Sequence, residues 1–322
     1  MAVYTKIDKG DLTLIEQNYN FGKITNLMGI KKGIENTNYI LNVGKKKYIL
    51  TIFEKRVQSK DLPFFMKLLS GLSRSKIRCP QPIKNTKGKF LFKIKHKYAC
   101  IVSFLEGSDK LKLNTNDCYV IGKNIAKLHL ATKKLKIYRK NSLSVNAWRP
   151  LLKKINKKIN RLSKNLIEKM NFDLSNIKRK WPNNLPKGII HGDLFIDNIF
   201  FYKKRFHGFI DFYFSSNDFY AYDLAICINA LCFDKKNSNF TLNKKKSSNL
   251  LKGYQSLRKL KIIEKNNFNV LCEGAAFRYL LTRAYDYLNT PKTAIIKIKN
   301  PKEYIQKLNV HLSLNSFKDY IQ

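Results

Sequence analysis

Between residues 23 and 102 apolar residues come in short runs broken by Gly, Asn and Lys, as in ITNLMG, NYILNV and KKYILTIFE. Runs of this length bounded by turn formers predict strands and hairpins rather than helices. In NVGKKKY, Gly44 and three lysines separate two such runs, so the flanking segments are expected to pair as adjacent antiparallel strands. Residues 62–72 instead carry apolar side chains at helical spacing, and CPQP stops that helix. KFLFKI and YACIVSFL complete a small sheet with one main helix.

Beyond Glu106 and Gly107 the period changes from strand to helix. Residues 117–130 place Val120, Ile121, Ile125 and Leu128 on one face, and a very basic stretch at about 150–180 reads as a further helix with a solvated lysine face. Residues 189–215 return to strand-like runs, after which helical patterns occupy 222–233, 250–260, 267–287 and 301–312. The expectation is an α+β chain of two lobes. A lobe of mostly antiparallel sheet is expected over 1–103, and a larger, mostly helical lobe over 104–322. No internal repeat is visible.

The 322 residues exceed one typical domain, and 44% hydrophobic content is enough to build a sizeable core. The net charge of +41 raises nucleic acid or an anionic membrane as a partner. The excess is nearly all lysine, however, and is dispersed, whereas groove binders concentrate Arg and Lys on one element. No nucleic-acid or membrane partner is therefore expected. The six cysteines form no CxxC pair, so buried reduced thiols are expected rather than a metal site. The first residues show no signal-peptide core and no run of about 18 apolar residues occurs, which points to the cytoplasm.

The chemistry concentrates in HGDLFIDNIFF, beginning at His191, and GFIDFYF, ending at Phe214. Each is an apolar run tied to acidic or amide residues. Phosphoryl transfer needs a group to orient the attacking hydroxyl, ligands for magnesium and positive charge on the phosphates. Asp193 suits the first role, because its carboxylate can take the hydroxyl proton. Asn198 and Asp211 offer hard oxygen ligands of the kind magnesium takes one or two of. Lys203, Lys204 and Arg205 mark a turn between them, so a hairpin would bring Asp211 back beside Asn198.

These motifs resemble those of the aminoglycoside phosphotransferase and choline kinase-like group, which shares the bilobal protein-kinase fold. Within that group the chain is similar to the kinase-like class of bacterial homoserine kinases. The likeness is carried by MAVYTKI, GIENTNY, LTIFEKR, DLPFF, CPQPI, IIHGDLFIDNIFF, IDFYFSSNDFYAYDLAICINALCF and FRYLLTRAYDYLNTP. It implies transfer of the ATP γ-phosphate, with magnesium, to the side-chain hydroxyl of L-homoserine, a step of threonine biosynthesis. By matching position it implies Asp193 as base, Asn198 and Asp211 as metal ligands, and His191 as a structural member of the catalytic loop. Asp223 in AYDLA reads as a supporting residue that opens a helix and braces the site.

The chain also departs from the kinase pattern. Thr51 stands where related kinases place the lysine that holds the α- and β-phosphates. Lys47, Lys55 or Arg56 could replace it, or backbone amides with magnesium could suffice. MGIKKGIENTNY lacks the spaced glycines of a GxGxxG loop, although Gly33 with Asn36 and Asn38 can form an amide-lined turn over phosphate. The adenine base is expected at the hinge, against Ser103, Phe104 and Leu105. Arg278 and Arg283 are candidates for the carboxylate of the acceptor, and Asp218, Asp223, Asn229 and Asp286 for its amine, with Tyr213 as core or pocket wall. Rival readings are another acceptor (choline, ethanolamine, methylthioribose or an aminoglycoside) or a non-catalytic nucleotide-binding protein of the same fold.

Overall fold

The computed structural model describes residues 4–30, 36–54, 57–155, 157–290 and 299–321. Its first lobe is a five-stranded antiparallel sheet of β1 (Ile24–Gly29), β2 (Thr37–Val43), β3 (Lys46–Ile52), β4 (Leu91–Ile94) and β5 (Lys97–Ser103), in the order β1-β2-β3-β5-β4. The β2–β3 turn falls at Gly44, as NVGKKKY predicts. Two helices flank the sheet rather than one. α1 (Lys9–Asn18) is closed by a capping box between Asp8 and Asp11 and packs Ile15 and Tyr19 against Leu41, Leu50 and Ile101 on the outer face. It escaped the sequence reading because KGDLTLIEQN buries only Ile15. α2 (Leu62–Arg74) buries eight residues and lies on the inner face.

Strand alternation divides the sheet. Leu50, Ile52, Ala99 and Ile101 face α1, whereas Cys100 and Val102 join the core of the second lobe and Ile49 packs against it. The register lines up Asn38, Thr51 and Cys100 in one row across β2, β3 and β5, and Ile40, Ile49 and Val102 in the next. These rows form the roof of the cleft between the lobes.

The second lobe is built on α3 (Thr115–Thr132), α4 (Val145–Lys153) and α5 (Leu166–Lys180). The single basic helix expected at about 150–180 is thus two: Pro150 lies inside α4 and Asn165 adopts a left-handed conformation just before α5, so the helical ladder is interrupted between them. Two short antiparallel pairs follow, β6 (Lys187–Ile190) with β9 (Ser216–Phe219), and β7 (Ile199–Tyr202) with β8 (Arg205–Phe209). After α6 (Tyr220–Leu231) comes a hairpin the sequence did not suggest, β10 (Phe233–Lys236) with β11 (Asn239–Leu242). Its turn residues Asn237 and Ser238 both have positive φ. The polar string DKKNSN hides it because it has no apolar alternation. α7 (Lys244–Gln255) therefore starts earlier than expected, capped by Asn243, and is followed by α8 (Ile262–Asn266), α9 (Phe268–Asn289) and α10 (Lys302–Leu312). All six cysteines are free and buried. No helix among the described residues is long and apolar enough to cross a membrane.

Candidate active site

The strand β6 delivers His191, Gly192 and Asp193 to the floor of the cleft, and Asp223 fixes their backbone. Its carboxylate accepts hydrogen bonds from the N–H groups of His191 (3.0 Å) and Gly192 (2.9 Å), and from Nε2 of His129 (3.0 Å). Burial would raise the Asp223 pKa, but His129 and these donors hold it below the usual carboxylate range. Tyr254 supplies a hydrogen bond to His129 Nδ1 (2.8 Å), which leaves the buried His129 neutral with its proton on Nε2. Asp223 is the fourth residue of α6 rather than its cap, which is Phe219. The expected capping is therefore not found, and the carboxylate instead holds the loop backbone.

His191 is fully buried, and burial lowers its pKa. Its Nε2–H donates to the carbonyl of Ile210 (2.9 Å), and its ring lies 4.6 Å from that of Phe212. The ring therefore ties the catalytic loop to the segment that carries Asp211, which is a structural task. That segment arrives by the β7–β8 hairpin, whose turn sits at Lys203 and Lys204, both with positive φ. Ile199 pairs with Phe209, and the N–H of Ile210 donates to Asn198 O (3.0 Å). Asp211 consequently emerges beside Asn198, exposed and in a left-handed conformation (φ 59°). A non-glycine residue held there is a local strain that its surroundings must maintain.

Asp193 receives a hydrogen bond from Tyr279 Oη at 3.0 Å and a longer one from Asn198 Nδ2 at 3.4 Å. Asn198 Nδ2 also donates to the Asp193 carbonyl (2.8 Å), which turns the Asn198 amide oxygen away from Asp193. One amide oxygen and one carboxylate make a hard, two-ligand set that suits magnesium, an ion that retains water and phosphate oxygens in its remaining positions. Tyr279 was not foreseen. Its only sequence signal is its place beside Arg278 in FRYLLTR.

The remaining expected residues divide. Arg278 is buried beneath the loop, donates to Gly192 O (2.9 Å) and stacks 4.3 Å from the Tyr279 ring centroid, so it supports the loop from behind. Arg283 pairs with Glu303 (2.6 Å) and stacks on Tyr304, joining α9 to α10. Asn229 does not reach the site. It is fully buried, donates to Ala225 O and Cys272 O and pairs with His311, so the assignment to an acceptor amine is corrected to a packing role.

Of the two roles expected for Tyr213, core or pocket wall, its packing fits the first. Its ring meets Phe53 and Phe65 edge-on at 5.1 and 5.5 Å, and its hydroxyl reaches Thr51 and lies 3.9 Å from Cys100 Sγ. It wedges the Asp211 segment under the sheet. Thr51 itself donates to Asn38 Oδ1 (2.8 Å), so a buried neutral network occupies the place of the kinase lysine. Asn36 accepts from Glu54 N at 3.4 Å. Gly33, Lys55 and Arg56 lie outside the described residues. Lys47 is exposed at the cleft rim, its Nζ 5.4 Å from the Phe104 ring centroid.

At the hinge, Ser103 N donates to Gln81 O (2.8 Å) and Phe104 N to Lys47 O (3.4 Å), so both amides are engaged within the lobe and Leu105 is left as the hinge residue of the three. Gly107 follows with φ +113°, where a Cβ would stand 2.5 Å from Phe201 O. Only glycine allows the chain to turn this close to β7.

A sheet lobe and a helical lobe meeting over Asp193, with an oxygen-ligand pair returned by a hairpin, define an ATP-dependent phosphotransferase of the kinase-like type. The chain belongs to the phosphotransferase enzyme family, whose model matches residues 26–258. It is 42% identical over 320 residues to a homoserine kinase of Methylobacterium nodulans, covering 99% of both chains. To a homoserine kinase of Brucella anthropi it is 39% identical, covering 99% of this chain and 97% of the other. Among solved structures it is similar to an amicoumacin kinase in complex with AMP-PNP, Ca2+ and its ligand, with a TM-score of 0.73 at 14% identity over 98% and 97% of the two chains. That likeness concerns the fold.

Proposed function

We infer that this chain transfers the γ-phosphate of ATP to the side-chain hydroxyl of L-homoserine, a step of threonine biosynthesis carried out in the cytoplasm. The observation that supports the reading most directly is the Asp193 carboxylate, held by Tyr279 and Asn198 at the point where the hairpin returns Asp211. The identity of the acceptor rests on the full-length similarity to homoserine kinases.

In this reading residues 1–103 receive the nucleotide and 104–322 supply catalysis and the acceptor site. The apolar row of Ile40, Ile49 and Val102 faces the adenine, and Leu105 supplies the hinge backbone contact. Asn198 and Asp211 hold the magnesium, which when bound neutralises phosphate charge and aligns the γ-phosphate. Asp193 orients the homoserine hydroxyl and accepts its proton as the new bond to phosphorus forms. Arg278 holds Gly192 so that the Asp193 carboxylate keeps its direction. Because Thr51 carries no charge, cations of the cleft rim, Lys47 among them, take over part of the work of the missing lysine.

The test is coupled ADP release from ATP and magnesium with L-homoserine, choline, ethanolamine or methylthioribose supplied separately, with the product identified by phosphorus NMR. Release with homoserine alone, yielding the O-phosphorylated amino acid, is the expected result. Release with a different acceptor, or with none, would overturn the assignment.

A further inference from the structure

A cleft of about 480 Å3 lies apart from the candidate active site: Asp193, Asn198 and Asp211 do not line it. It lies where three pieces of the fold meet, namely the loop that follows α2, one face of α3, and the β7–β8 hairpin. Its volume falls in the range of small-molecule sites. Five basic side chains reach it, Lys76, Arg78, Lys127, Lys204 and Arg205. Its base is apolar, formed by Ile77, Phe206 and Phe209, with the two phenyl rings edge-on at 5.0 Å.

The acids nearby do not cancel this charge. Asp117 is paired with Lys110 at 2.6 Å and also closes the α3 capping box, and Glu106 is not among the residues that line the cleft. His207 contributes orientation instead. Burial and the adjacent Arg78 lower its pKa, and as a neutral ring it accepts a hydrogen bond at Nδ1 from Arg78 NH1 (3.0 Å). One edge of the Arg78 guanidinium is thereby fixed, and the rest remains for a ligand. Dispersed lysines are the norm on this chain, whereas two arginines over an aromatic base in a concave site are a different arrangement. A planar guanidinium pairs with phosphate oxygens in a two-pronged geometry that an ammonium cannot match.

We propose that this cleft is a second ligand site, distinct from the nucleotide and acceptor sites, for a small organic phosphate with a flat apolar body. The phosphate sits between Arg78 and Arg205, with the lysines supplying further charge, and the apolar body rests on Phe206 and Phe209. The site is placed to act on the active site mechanically. Phe209 N donates to Arg78 O (3.2 Å), and a Cβ on Gly208 would stand 2.4 Å from that same oxygen, so the loop and the hairpin touch backbone to backbone. That hairpin is the one whose open end carries Asn198 and Asp211. A ligand bridging loop and hairpin changes the freedom of both, and by linkage its affinity and that of the nucleotide depend on one another.

The experiment is calorimetric titration of the full chain with its nucleotide site filled by magnesium and a nonhydrolysable ATP analogue. The probes are phenyl phosphate, AMP and inorganic phosphate, titrated into the wild type and into an Arg78→Ala/Arg205→Ala variant whose thermal midpoint is checked against the wild type. One phenyl phosphate is expected to bind per chain, at least tenfold more tightly than inorganic phosphate, with at least a tenfold loss in the variant. AMP binding more tightly than phenyl phosphate would support a nucleotide occupant, and weaker binding a non-nucleotide one. No phenyl phosphate binding, equal affinity for inorganic phosphate, or an unchanged affinity in the variant would overturn the proposal.

Discussion

Tyr279, projecting from the middle of α9, donates its hydroxyl proton to the Asp193 carboxylate across 3.0 Å. The same hydroxyl lies 3.3 Å from Gly192 O, so a helix about 90 residues further along the chain sets the direction of the Asp193 carboxylate. Removing it by Tyr279→Phe keeps the ring packed against Phe195 and takes away only the donor. A hydrogen bond to a charged group contributes about 1.5–3 kcal/mol, so kcat is expected to fall between about ten- and a hundredfold with little change in the KM for ATP. Steady-state kinetics check this, and an unchanged kcat would mean that Asp193 is oriented by other groups.

Asp193→Ala removes the carboxylate proposed to accept the proton. General-base assistance contributes about 10²- to 10⁴-fold, so turnover should drop at least that far while ATP affinity and the unfolding midpoint stay near wild type. Binding of a fluorescent ATP analogue alongside the coupled assay separates the two readouts. Full activity in the variant would remove Asp193 from the chemistry.

Asp223→Ala should act on stability first. It strands the N–H groups of His191 and Gly192 and the Nε2–H of His129 in a buried site. Breaking one side of a buried charged network costs about 3–5 kcal/mol. Urea denaturation is expected to show a loss of that order together with lost activity. A variant as stable as wild type would show that the loop holds without this brace.

The pH dependence follows from His129 and His191, both buried with pKa values lowered by burial. An unfolded histidine takes up a proton near pH 6.5, whereas these two in the folded chain do so only at lower pH. Between about pH 7 and 5.5 the unfolded state therefore binds more protons, and stability falls as pH falls. The slope approaches about 1.4 kcal/mol per pH unit for each histidine once the pH is below 6.5. Asp223, whose folded value is depressed, adds a loss only further down, below the usual carboxylate range. Urea midpoints measured from pH 8 to 5.5 should decline on the acid side of 7, and a flat profile would contradict neutral buried rings.

All six thiols are buried, and burial pushes Cys79 and Cys100 up to about 12. A disulfide-exchange reagent at pH 8 should titrate essentially none of them in the native chain and all six in denaturant, since the thiolate is the reactive form. Rapid labelling of the native chain would refute the packing described for them.

How much of this was legible in the sequence follows from the range over which each signal acts. The sheet with its Gly44 turn, the helix opening at Leu62, and the acid and amide pair carried by the 199–209 hairpin are written in local periodicity and turn chemistry. They appeared where expected. Helix α1 and the β10–β11 hairpin were missed because their local patterns are weak and their stability comes from partners elsewhere in the fold. Asn229 and Arg283 carry functional groups suited to an amino-acid substrate, but residue type does not reveal direction. The packing of α9 and α10 turned both toward protein partners.

The sequence by itself determined the class of chemistry, because Asp193, Asn198 and Asp211 lie within one short stretch whose hairpin closes on local turn preferences. It also settled the family, through the strings that run the length of the chain. Only the tertiary structure decided which distant residues meet that stretch: Tyr279 on Asp193, Asp223 beneath the loop, and Tyr213 against Thr51 where a lysine would otherwise stand. These pairings join positions that are brought together by burial of apolar faces far from the site. Side-chain direction in the assembled core, and not residue spacing, fixes them.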